Sequence, residues 1–403
     1  GSQENTVISC EGQTNLGHEV HLAFGPIYGP EGSMLERVRA FRAGDGRSIT
    51  PHEVPDLVRE VSPARDHRAY KQLKALIARL RPDVVHTHSS KAGIVGRAAA
   101  WDVTPRPAVV HTIHGPPFMP VEGGLFRRWK TRIVNYEYTL AERFAAKQCH
   151  MILSVADAMT EQFLARGIGS PELYRTVRSG IDTAPYLNPA SGEDRASVRA
   201  SLGLGRDRFV VGTVARLAEH KGHDDLLDVL DPRVHAKWSL LWVGDGWWRG
   251  RLLERARAMG LRIRELDKPD QQAAGDGPEL VLTGLVPPAR VPALMRAMDV
   301  LVHPSYREGL PRTVPQALLT GTAVAAYDVD GTREACVDGQ TGLLIPPGNR
   351  TRLREALDRL YAEPSLRSEL ARRGQEFCRD EFAAETMIRR LEAAYADARS
   401  KLS

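Results

Sequence analysis

At 403 residues, 42% of them apolar and 26% charged, the chain exceeds one ordinary core and reads as a soluble globular protein of two domains. No run approaches the roughly 20 apolar residues that a membrane-spanning helix needs, and no stretch reads as a secretory leader. Most of the net charge of +5 sits in the first half (23 Lys/Arg against 19 Asp/Glu over residues 1–182, 32 against 31 beyond), but no basic run interleaved with aromatics tracks a phosphate backbone, which sets nucleic acid aside as a partner.

The opening residues Gly1-Ser2-Gln3-Glu4-Asn5-Thr6 have the character of a strand-to-helix loop. A doubly wound domain carries its first strand before such a loop, so either that strand has been lost or the numbering begins at a truncated or added end; if the strand is absent, the first domain is expected to be poorly stable. Short apolar runs predict strands at Glu19–Phe24, Val84–His88, Ala108–Thr112 and His150–Val155. Helical patterns fall between them at Tyr70–Arg81, Ala92–Ala100 and Phe126–Lys147. The cysteines Cys10, Cys149, Cys336 and Cys378 form no C-x-x-C pair, which argues against a disulfide framework or a zinc site and for a reducing cytoplasm. A polar stretch at Thr183–Ser197, with Pro185, Pro189 and Gly192, marks the expected domain boundary.

Beyond it the alternation resumes. Strands are expected at Phe209–Val214, Trp238–Val243, Leu280–Thr283, Val300–His303, Ala323–Ala326 and Gly342–Leu344, with helices at Asp224–Leu230, Gly250–Met259, Pro287–Met298 and Arg352–Ala362. Asp267–Gly277 reads as a polar surface loop. A long amphipathic helix, Ala383–Ala398, ends the chain. Strands alternating with helices define an α/β protein of parallel sheets. The expected division is residues 1–185, residues 186–382 and a terminal helix from 383 to 403 that crosses back to the first domain.

Four cues in the second half carry chemistry. The strand ending at Val214 launches Arg216 and Lys221, a pair suited to a diphosphate because Arg binds two oxygens and Lys acts as a point charge. Trp242-Val-Gly244-Asp245-Gly246 and Leu282-Thr-Gly284-Leu-Val286 place glycine where strands end, so a ligand can approach the backbone. Ser305-Tyr-Arg-Glu308-Gly309-Leu310-Pro311 puts a carboxylate on a strand-to-helix loop, where unpartnered helix N–H groups collect anions.

Together these four resemble the nucleotide-sugar-binding half of the GT-B glycosyltransferases of family 4. The resemblance extends to Asp83-Val-Val-His-Thr-His88, His111-Thr-Ile-His114-Gly115, Ser179-Gly-Ile-Asp182 and Asp330-Gly331…Glu334…Gly339…Thr341-Gly342, over roughly 300 residues in matching order. It implies two facing Rossmann-like domains with a central cleft and retaining, metal-independent transfer of a hexose. The implied donor is a nucleotide-diphosphate sugar, UDP-sugar before GDP-mannose; the implied acceptor is a glycan or a lipid-linked glycan. Arg216, Lys221, Glu308 and His114 would be catalytic. Gly244, Gly284, Val286, Gly309, Leu310 and Gln316 would complete the donor site, and Gly1, Ser2, His88, His114 and Gly115 the acceptor side. Pro311 removes one N–H from the donor loop. Gln316 stands where the family carries a second glutamate for the ribose, exchanging a charge-assisted hydrogen bond for a neutral one.

His86, His88 and His111 have no carboxylate or cysteine cluster beside them, and no metal site is expected. Asp328-Val-Asp330 spells a motif of metal-dependent transferases of another fold, here by coincidence of context. No cofactor is expected. Phe126-Arg-Arg-Trp-Lys-Thr-Arg132 mixes cations with aromatics and fits a peripheral membrane contact for a lipid-linked acceptor, on the inner face of the membrane. Two other readings stay open at this stage: a non-catalytic nucleotide-sugar binder, favoured by Gln316, and a nucleotide-sugar epimerase on the same architecture.

Overall fold

The structure is a computed structural model that describes residues 2–26, 32–115, 118, 125–231, 234–268 and 279–402. The chain divides into two units, residues 1–180 with 384–403 and residues 181–383. The polar stretch Thr183–Ser197 lies inside the second unit and contains a short helix, Ala184–Leu187.

The first unit holds six strands: β1 (Val20–Phe24), β2 (Ile49–Glu53), β3 (Val84–His88), β4 (Ala108–Ile113), β5 (Met151–Ser154) and β6 (Tyr174–Thr176). They form two parallel sheets, β1-β2 and β3-β4-β5-β6. The free edges of β1 and β3 both line one cavity of about 710 Å³, which the helices Ser2–Asn15, Pro63–Leu80 and Ala384–Ser400 also border. The opening segment corrects the loop expected there: it is helical from Ser2 onward. Its buried face packs on the terminal helix, where a Cβ on Gly12 would lie 2.2 Å from Ile388 Cδ1. That contact explains the helix, because packing supplies what a run of middling helix formers does not. Met387, Leu391, Ala394 and Ala398 bring the terminal helix onto β4 and β5.

The second unit is one seven-stranded parallel sheet built from β7 (Phe209–Val214), β8 (Trp238–Val243), β9 (Arg262–Glu265), β10 (Glu279–Leu282), β11 (Val300–His303), β12 (Ala323–Tyr327) and β13 (Leu343–Ile345). Their order is β13-β12-β11-β7-β8-β10-β9. Strands β7, β8, β11 and β12 are buried almost throughout, as unbroken apolar runs covered on both faces must be. The order reverses direction at β7, so the switch point of this sheet lies between β7 and β11. In open α/β sheets that crevice is where ligands bind. The helix expected from Pro287 to Met298 is divided into a 3-10 turn, Pro288–Arg290, and a helix, Val291–Arg296. Of the loop expected at Asp267–Gly277, only Asp267 and Lys268 fall among the described residues.

Candidate active site

The candidate residues of the second unit gather at the switch point. The loop after β7 and the loop after β11 are joined by backbone: Tyr306 N–H donates to the His220 carbonyl at 2.8 Å, and Ser305 Oγ donates to the same oxygen at 3.1 Å. Gly222, at φ +69°, permits the close approach, since a Cβ there would lie 1.9 Å from the Pro304 oxygen. The two loops thus deliver their charged side chains to one point. Lys221 Nζ donates to Glu308 Oε1 at 2.6 Å, and His303 Nε2 lies 3.0 Å from the same oxygen. The Glu308 N–H donates to Asp330 Oδ2 at 2.7 Å, which fixes the backbone that carries the carboxylate.

Burial alone would raise the Glu308 pKa. The neighbouring His303 and Lys221 outweigh it and hold the carboxyl well below the usual carboxylate range. The site therefore presents a mostly buried, ionised carboxylate beside a lysine ammonium. Tyr306 is anchored behind it: Asp225 accepts from the hydroxyls of Tyr306 and Tyr327 and from Arg350 Nε.

Arg216 is exposed at the tip of β7, its guanidinium 5.6 Å from the Trp247 ring centre. Gly244 and Gly284 form an isolated bridge, Gly244 N–H donating to the Gly284 carbonyl at 3.1 Å. Both have positive φ, and a Cβ on Gly244 would lie 2.3 Å from the Ala215 oxygen. Their role is to let the β7, β8 and β10 loops pack together; Val286 is half-buried beyond them. Gly309 accepts at its carbonyl from Gly331 N–H at 3.0 Å, Leu310 is buried, and Gln316 is buried on the helix Thr313–Leu319. Asp328 of the D-x-D is held by Arg333 through two hydrogen bonds of 2.9 and 3.0 Å, and Asp330 serves the Glu308 amide. Among the described residues no three His, Cys, Asp or Glu side chains come together as a metal would need.

The first unit gathers a second set at the carboxyl ends of β3 and β4. His88 Nδ1 and His114 Nε2 are 2.9 Å apart, and the His86 ring lies 4.2 Å from that of His88. His86 is fixed by Tyr395 and Thr112 at 2.7 and 2.6 Å. Burial lowers the pKa of all three inner histidines, to about 4 for His88 and well below the ordinary value for His86 and His111. A cavity of about 190 Å³ is lined by Ser2, Ser89, Ser90, His114, Gly115 and Glu142 among others. Ser2, His114 and Gly115 of the expected acceptor side therefore meet at one opening; Gly1 lies outside the described residues.

Three site features escaped sequence reasoning. His303 ends β11, and nothing in its local sequence points to the carboxylate it meets. Glu142, which lines the first-unit cavity, is held by the buried Arg97 at 2.7 Å, a pair of residues far apart in sequence. Ser89 takes φ +69° at the tip of β3, a strained conformation for a non-glycine residue that spacing does not betray.

With this geometry in hand, the comparisons are informative. Residues 208–363 match the family described as glycosyl transferases group 1, and residues 7–185 match glycosyltransferase family 4. The 2-deoxystreptamine N-acetyl-D-glucosaminyltransferase of Streptomyces fradiae is 28% identical over 294 residues, 68% of this chain and 62% of that one. The UDP-Gal:alpha-D-GlcNAc-diphosphoundecaprenol alpha-1,3-galactosyltransferase of Escherichia coli is 28% identical over 306 residues, 74% of this chain and 71% of that one. Among solved structures, HepE of Anabaena in complex with UDP and glucose superposes with a TM-score of 0.76 at 19% identity, covering 98% of this chain and 96% of that one. WaaG, a glycosyltransferase involved in lipopolysaccharide biosynthesis, gives a TM-score of 0.70 at 17% identity, with 98% and 95% covered. Two Rossmann-like units with these relatives define the GT-B class of enzyme. The chain belongs to the family 4 glycosyltransferases and is a hexosyltransferase by class.

Proposed function

We propose that the protein transfers a hexose from a nucleotide-diphosphate sugar, a UDP-sugar first, to a hydroxyl of a glycan or lipid-linked acceptor, with retention of configuration and without a metal or other cofactor. The observation that carries this reading is the convergence of Lys221, His303 and Glu308 at the switch point of the second sheet. Lys221 and Arg216 would neutralise the diphosphate as it leaves. Glu308 would hold the sugar through its hydroxyls, and Gln316 the ribose. The bond from the anomeric carbon to the diphosphate oxygen breaks, the acceptor oxygen attacks from the same face, and the acceptor proton passes to a leaving phosphate oxygen. His114 would belong to the acceptor side.

The engagement of Asp328 and Asp330 in protein contacts supports metal independence. The UDP-Gal and diphosphoundecaprenol in the name of the E. coli relative, and the UDP bound by HepE, support a UDP-sugar donor and a lipid-linked acceptor. Such an enzyme would work on the cytoplasmic side of the membrane in assembly of a surface polysaccharide. Thermal shift with UDP, GDP and ADP, with and without EDTA, tests the donor site. Selective stabilisation by UDP, unchanged by EDTA and lost in Lys221→Ala, is expected; no shift with any nucleotide overturns the reading. Binding without turnover on any acceptor would instead make the protein a nucleotide-sugar binder.

A further inference from the structure

The helix Leu125–Ala146 in the first unit is amphipathic in an unusual sense: its outward face is apolar. Trp129, Ile133, Tyr136, Leu140 and Phe144 are all exposed, the three aromatics at 61%, 63% and 62%. Their spacing of four, three, four and four residues keeps them in one stripe, within about 80° of arc at about 100° per residue. Glu142, Ala145 and Ala146 are buried on the opposite side, Glu142 by its pair with Arg97. The stripe therefore faces away from the unit's own core.

The charges beside it are one-sided. Arg128, Lys130, Arg132, Arg143 and Lys147 are exposed on or just beyond the helix, against one exposed carboxylate among the described residues there, Glu137. An apolar stripe with aromatic tips, bordered by cations whose stems can lie along it, matches the headgroup region of a bilayer. No helix among the described residues is long and apolar enough to cross a membrane, so the helix would lie in the interface rather than span it. A second copy of the chain is the poorer occupant, because pairing two such helices brings cation-rich faces together.

We infer that the helix Leu125–Ala146 docks the protein on an anionic membrane surface, with Trp129, Tyr136 and Phe144 inserted and Arg128, Lys130 and Arg132 on the lipid headgroups. The site goes well beyond the short Phe126–Arg132 motif, running the length of the helix. Docking needs only this face; its use in catalysis rests on the lipid-linked acceptor proposed above.

The test is flotation of the full chain with vesicles of phosphatidylcholine alone and of two parts phosphatidylcholine to one part phosphatidylglycerol. Binding to the anionic vesicles only, weakened by salt, is expected. The variant Arg128→Gln, Lys130→Gln, Arg132→Gln should bind about a hundredfold more weakly, and Trp129→Gln, Tyr136→Gln, Phe144→Gln should not float. All six positions are exposed, so both variants should keep the wild-type melting temperature. Equal binding to neutral vesicles, or unaltered flotation of either variant, overturns the proposal. So does a lipid-free dimer that the aromatic variant dissociates, since the stripe is then a self-association face. UDP-induced thermal shift of the wild-type chain, measured beside its flotation, separates the two claims: shift without flotation removes docking alone, and flotation without shift removes the donor-site reading alone.

Discussion

Lys221 Nζ donates to Glu308 Oε1 at 2.6 Å, so the cation expected to meet the donor diphosphate is held by the carboxylate expected to meet the donor sugar. Both side chains are mostly buried, at 19% and 12% exposed. Without donor they neutralise one another; with donor, Lys221 must be shared or released.

Removing the lysine alone leaves a buried anion with only His303 beside it. Lys221→Ala is expected to destabilise the second unit by about 2–4 kcal/mol, and adding Glu308→Gln should recover at least half. A double-mutant cycle by chemical denaturation measures this. Each single variant should also lower kcat/KM by about a hundredfold or more, the scale of losing one preorganised charge contact. A cycle in which the two effects simply add would show that the pair is not coupled.

Gln316 is buried on the helix Thr313–Leu319. Gln316→Glu places an unpaired carboxylate there when no ribose is present, so the free variant should melt below the wild type. With UDP bound, the charge-assisted hydrogen bond should tighten affinity about fivefold, near 1 kcal/mol. Calorimetric titration with UDP checks the sign. Equal or weaker binding would place the ribose elsewhere.

The second sheet was legible because buried parallel strands read as unbroken apolar runs: β7, β8 and β11 have the ends expected of them. What hid was polar. Strand β9, Arg-Ile-Arg-Glu, lies at the sheet edge with charged residues, and β2, Ile-Thr-Pro-His-Glu, contains a proline and pairs on one side. The helix Pro364–Glu381 went unread because charged pairs such as Arg372–Glu376 dominate it, while Gly374 interrupts the buried face that packs on Leu318. At the site, Arg216, Lys221 and Glu308 stood out because charge at strand tips is local information. The His303 contact and the Arg97–Glu142 pair depend on which strands and helices become neighbours, which spacing does not encode.

Acid should weaken the protein well before its carboxylates protonate. Burial lowers the pKa of His223 to about 3, with Lys221 adding to the effect, and that of His88 to about 4; His86 and His111 are also held well below the ordinary value. Each is neutral when folded but takes a proton when unfolded below about 6.5. The unfolded state then binds more protons, so stability is full above pH 6.5 and falls as pH drops toward the folded values. For His223 the loss is about 1.4 kcal/mol per pH unit in that window. Glu308, its pKa lowered, keeps its stabilising charge throughout and loses it only in stronger acid. Calorimetry at pH 7 and pH 5 should show both units melting earlier at pH 5, and His223→Phe should flatten the dependence of the second unit alone.

The first unit should be the first to open even at neutral pH. Its strands β1 and β3 each pair on one side and face the 710 Å³ cavity on the other, whereas β7 and β8 are paired on both sides. Edges without partners and a large void both lower the free energy of local opening. Hydrogen exchange followed by mass spectrometry is expected to label Val20–Phe24 and Val84–His88 well before Phe209–Val214 and Trp238–Val243. Two calorimetric transitions should accompany it, with UDP raising only the later one, because its proposed site lies in the second unit. Uniform protection across both sheets, or a single transition that UDP shifts whole, would mean that the cavity costs the first unit nothing.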